Sequence, residues 1–109
     1  MMDSRALAAL ADGIIPPDAR DAGAGSVRAG PRLAERIEAG VNAALYLKGL
    51  EAAAEIAKER FGRDVASLAP QELHELLAAL RDRMPALFKQ LRMDVSTMYL
   101  GDPAVWARI

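Results

Sequence analysis

The sequence predicts an all-α protein, a small bundle of about five helices with a long Gly/Pro-rich loop after the first helix. Three observations carry this prediction. Of 109 residues, 23 are Ala and 14 Leu against 5 Val, 5 Ile and 1 Thr, so helix formers dominate and strand-favouring residues are scarce. Apolar residues recur at three- and four-residue steps through most of the chain. Prolines and glycines fall between those periodic stretches, where helices begin and end. The length suits one helical domain spanning 1–109.

The first helix is expected over Ser4 to Ile14, where Leu7, Leu10, Ala11 and Ile14 share one face and Asp3 or Ser4 can cap the start. Pro16 forces Ile15 out of helical geometry, and Pro16-Pro17 makes a stiff, extended exit. From Asp18 to Gly30 the chain carries Gly23, Gly25 and Gly30 and few large apolar side chains, a loop (18–30) that something else must hold. Pro31 suits a helix start, and Leu33, Ile37, Val41, Leu45, Leu50, Ala54, Ala57 and Phe61 continue the helical period to Phe61. Gly40 and Gly49 each cost about 1 kcal/mol relative to Ala inside a helix, and the expected bend lies near Tyr46 to Gly49. Gly62 then stops the helix, with Lys58, Arg60 and Arg63 suiting its negative end. Pro70 opens a helix striped by Leu73, Leu76, Leu77 and Leu80 as far as Met84. Pro85 opens the last, burying Phe88, Leu91, Val95, Met98 and Tyr99 up to Leu100. A C-terminal arm, 101–109, follows: Gly101, Asp102 and Pro103 end that helix and cap a short turn bearing Trp106 and Ile109.

The chemical inventory is sparse. The formal net charge is −1, with 14 basic and 15 acidic residues mixed along the chain, so there is no footprint for nucleic acid. The apolar run from Ala6 to Ile15 is broken by Asp12 and fits neither a signal segment nor direct membrane insertion. With no Cys and His74 the only His, neither a metal site nor a nucleophile-base pair is expected, so catalytic, cofactor-binding and metal-binding residues are all read as none. The run from Gly23 to Gly30 matches no phosphate-binding fingerprint and follows no strand. Asp12, Asp18 and Asp21 flank the prolines and read as caps and turn formers, and Met84, Met93 and Met98 as core fillers.

Two apolar features stand apart. Ile14, Ile15, Pro16 and Pro17 put bulky side chains on a rigid segment, and Val105, Trp106 and Ile109 crowd apolar area onto the last residues. Both either fold back on the domain's own core or dock on a partner. These seven are the candidate partner-contact residues.

The blocks Leu7 to Asp18 (L-A-A-L-A-D-G-I-I-P-P-D), with Gly23-Ala24 beyond it, and Tyr99 to Ile109 (Y-L-G-D-P-A-V-W-A-R-I) resemble the gluconate 2-dehydrogenase subunit 3 family. The resemblance implies a non-catalytic small subunit that stabilises, matures or escorts a large FAD-dependent sugar or polyol dehydrogenase subunit. The FAD would sit in that partner rather than in this chain, and a cytochrome c subunit would take the electrons. It implies a periplasmic complex where an export signal has been removed, and a cytoplasmic one if the sequence is complete as given. The alternative is a stand-alone helical domain that self-associates through the same apolar surfaces, with a small-molecule pocket between helices.

Overall fold

The computed structural model describes residues 4–15 and 29–101, and every structural statement below concerns those residues. They form five α-helices: α1 (Ser4–Ile14), α2 (Ala29–Glu38), α3 (Ala43–Phe61), α4 (Pro70–Arg83) and α5 (Pro85–Leu100). A short 3-10 turn, Val65–Ser67, precedes α4. The protein is all-α, as the composition predicts. Each helix turns a stripe at three- and four-residue spacing inward, such as Leu73, Leu76, Leu77 and Leu80 on α4. These stripes meet in one core, where Leu7, Leu33, Leu76, Leu80, Leu91 and Val95 are the largest fully buried side chains. Burying each contributes about 1.5–3 kcal/mol.

α1 packs most extensively on α2, and the approach is close. A Cβ at Gly30 would stand 2.7 Å from the backbone N and Cα of Ala8, so only glycine admits this contact. Gly30 and Ala29 are therefore the buried first turn of α2, and not the end of the preceding loop as the sequence suggests. Pro31 still fits, because its missing N–H falls among the first four, which have no partner within the helix.

The break in the long helical stretch also moves. It lies at 39–42, not near Tyr46 to Gly49. Gly40 adopts φ +96°, its N–H donates to the Ile37 carbonyl and that of Val41 to the Arg36 carbonyl, both at 2.9 Å, which is a Schellman stop. Asn42 follows, also left-handed, at φ 54°. Gly49 stays helical and buried because Leu87 of α5 occupies the space a side chain would need. Val41 is consequently exposed on the turn, and Ala54 lies on the outer face of α3.

The remaining boundaries follow their local signals. Gly62, at φ 65°, ends α3 with its N–H bonded to the Lys58 carbonyl at 3.0 Å. Glu72 in the first turn of α4 accepts the Ala69 N–H at 2.9 Å and pairs with Arg63, and the two together hold its carboxyl below the ordinary value. Pro85 separates α4 from α5 without a loop. Met98 is buried and Met84 partly so, but Met93 is 54% exposed and is not a core filler. It sits on the outer side of α5, opposite Leu87, Leu91 and Val95.

Candidate functional site

The last turn of α1 carries Asp12, Gly13 and Ile14, and the Ile15 N–H still donates to the Ala11 carbonyl at 3.0 Å. Ile14 and Ile15 are both partly buried and pack against the core while keeping some area open to solvent. Gly13 faces Leu73 and Leu77 of α4, leaving no room for a side chain, so the end of α1 presses directly on α4. Between α1, the 3-10 turn and the start of α4 lies a cleft of about 580 Å³. Ala9, Leu68, Pro70 and Leu73 give it apolar walls, and Asp12, Gln71 and His74 supply its polar side chains.

Asp12 is unfavourably placed for stability. It is inside α1 rather than capping it, contrary to the turn-former reading, because the helix runs on past it to Ile14. The last turn is the negative end of the helix dipole and holds no basic residue to offset a carboxylate. Burial raises its carboxyl above the ordinary value of 3.8, and no hydrogen bond or ion pair reaches it among the described residues. His74 lies on the exposed face of α4, on the rim of the same cleft.

A second polar constellation lies inside the bundle. The Tyr46 hydroxyl donates to Asp94 Oδ2 at 2.5 Å, and Gln90 Nε2 donates to Asp94 Oδ1 at 3.0 Å. The Arg36 guanidinium stands 4.0 Å from the same Oδ1. Asp94 is thus a buried carboxylate held by side chains of α2, α3 and α5. Sequence reasoning missed it, although a signal was present: Asp94 falls in phase with the buried Leu87, Leu91, Val95 and Met98. The network ties α2, α3 and α5 together through side chains distant in sequence.

With the geometry in place, comparison with known proteins gives one match. The family model for gluconate 2-dehydrogenase subunit 3 matches residues 2–109, essentially the whole chain. The chain belongs to the gluconate 2-dehydrogenase subunit 3 family. No curated protein and no solved structure matches it. The family is the small subunit of a dehydrogenase complex, and this subunit 3 chain carries both blocks on which the resemblance rests.

Of the seven candidate contact residues of this subunit, Ile14 lines a separate hollow of about 350 Å³ against α4 and α5 and Ile15 packs partly buried on the core, whereas Pro16, Pro17, Val105, Trp106 and Ile109 lie outside the described residues, as does most of the glycine-rich segment. Among the described residues no group of three His, Asp or Glu side chains converges as a metal site would require. No helix there is long and apolar enough to cross a membrane.

Proposed function

We propose that this subunit 3 chain is the non-catalytic small subunit that stabilises, matures or escorts a large FAD-dependent sugar or polyol dehydrogenase subunit. The observation that carries the reading is the family match over residues 2–109. A dinucleotide cradle needs a strand, a glycine-rich turn and a helix in succession. The described residues supply helices and their connecting turns, a poor fit to such a group. The reading assigns the FAD to the large subunit and electron acceptance to a cytochrome c subunit. Docking runs through Ile14, Ile15, Pro16 and Pro17 at one end and Val105, Trp106 and Ile109 at the other. Asp12 supports this placement, because a partly buried carboxylate at the wrong end of a helix is a group that a partner's donor would satisfy.

The test is production of the large flavoprotein subunit with and without this chain. Co-elution of the two, with more flavin and more dye-linked sugar oxidation per large subunit when both are made, is the expected result. Equal flavin loading and activity without the chain would refute it. A stable dimer of this chain that does not bind the flavoprotein would favour the self-associating domain instead.

A further inference from the structure

The outward face of the α4–α5 pair carries a groove whose charge departs from that of the whole molecule. Phe88, Lys89, Arg92, Met93 and Ser96 line one bank along α5, and Arg81 in the last turn of α4 lines the other. This hollow of about 430 Å³ holds three cations and no carboxylate, in a chain of formal net charge −1. It continues through Arg81, Phe88 and Arg92 into a second hollow of about 350 Å³, whose walls again lack a carboxylate and include His74 and Leu77. Lys89 and Arg92 have no ion-pair partner among the described residues, and Arg81 has only the exposed Asp82 at 3.7 Å. Met93, 54% exposed, and the half-buried Phe88 leave an apolar strip between these charges.

We propose that this groove seats an acidic amphipathic helical segment of the large flavoprotein subunit. Its apolar side chains lie on Phe88 and Met93, and its carboxylates meet Arg81, Lys89 and Arg92. The proposal rests on the accessory-subunit reading and adds to it the face used and the chemistry of the partner segment. Three arguments select this occupant. From His74 to Arg81 the groove follows α4 for roughly 10 Å, two helical turns, which is the reach of a helix in a groove. A free small anion would engage a cation and leave Phe88 and Met93 in water. A second copy docking symmetrically would set cations against cations. Of the chain's own remaining segments, 16–28 and 102–109 have balanced side-chain charges, Asp18 and Asp21 against Arg20 and Arg28 and Asp102 against Arg108, and 1–3 is too short to span the groove.

The experiment uses the full chain and the large flavoprotein subunit produced with it. The double variant Lys89→Glu/Arg92→Glu is expected to bind the flavoprotein at least about tenfold more weakly, with a flatter salt dependence and an unchanged melting temperature, since both side chains are exposed. A photoreactive residue in place of Met93 is expected to cross-link to an Asp/Glu-rich segment of the flavoprotein. Undiminished affinity of the double variant would overturn the proposal, as would cross-links to residues 16–28 or 102–109 of the same chain or to a second copy. If the wild-type chain fails to bind the flavoprotein at all, the accessory-subunit reading falls and this occupant with it. Wild-type binding that the groove variants do not weaken overturns the groove alone.

Discussion

Tyr46 and Asp94 form a buried hydrogen bond between α3 and α5. Removing the hydroxyl in Tyr46→Phe leaves a buried carboxylate short of one charge-assisted hydrogen bond, and the expected loss is about 1.5–3 kcal/mol in urea unfolding. In the double variant with Asp94→Asn the loss should be smaller than the sum of the two single losses, because both changes act on the same charge-assisted hydrogen bond. Burial first, then the hydrogen bond to Asp94 and its charge, hold the Tyr46 hydroxyl well above its ordinary value of 10.0. The folded chain keeps this proton where the unfolded chain releases it. Its contribution is therefore full below the ordinary value and lost as the pH rises beyond it, an alkaline decline that the Phe variant should lack. Asp12 also has a raised carboxyl, and here the sign works against the fold at neutral pH. The folded state binds the proton more tightly, so stability falls as the pH rises from 3.8 through the folded value. Asp12→Asn is expected to raise the unfolding free energy at neutral pH, by less than about 1 kcal/mol given its partial exposure, and to leave it unchanged in acid. An equal gain at both pH values would contradict the desolvation account. Ile14 and Ile15 were legible as bulky residues before a proline, but the hollow that Ile14 lines was not, because residues of α4 and α5 make its other walls.

At the scale of helices, glycine decides which elements can touch. Ala is the better helix former by about 1 kcal/mol, so Gly30→Ala would stabilise an isolated α2. Against the Ala8 backbone at 2.7 Å the added methyl has no flexible neighbour to displace, and α1 must move away from α2. The expected net result is a loss of about 1–3 kcal/mol, seen by chemical unfolding, and an unchanged or raised stability would show that the helices can separate at little cost. The cationic groove is also an element-scale property. Arg81, Lys89 and Arg92 look scattered along the sequence, and only the hairpin that Pro85 creates between α4 and α5 brings them to one face.

For the whole molecule, a 109-residue bundle has a small core, and a partner that binds only the folded state adds directly to its stability. With flavoprotein at about a hundred times the dissociation constant, the gain is about 2.7 kcal/mol. A domain of this size melts roughly 4–8 °C higher for each kcal/mol, so the melting temperature of this subunit should climb by about 10 °C or more across a titration. Differential scanning fluorimetry of the chain against increasing flavoprotein measures this, with the flavoprotein's own transition recorded separately. A midpoint that does not move with partner concentration would count against the accessory role.

The sequence by itself determined the all-α class, the family, the bounds of α1 and α5, the stop at Gly62 and the openings at Pro70 and Pro85. Each of these is written within about a helical turn: a proline lacking its N–H, a left-handed glycine, a stripe of Leu and Ala. Only the tertiary structure decided which glycine breaks the long helix. Gly40 and Gly49 carry the same intrinsic penalty, but Leu87 packs on Gly49 while Gly40 faces open space. It also decided that Asp94 is buried, because its partner Tyr46 stands 48 residues away in sequence, and that Met93, identical in type to the buried Met98, faces water. Local propensity acts between neighbours along the chain, whereas burial depends on which surfaces meet, and here those surfaces belong to helices distant in sequence.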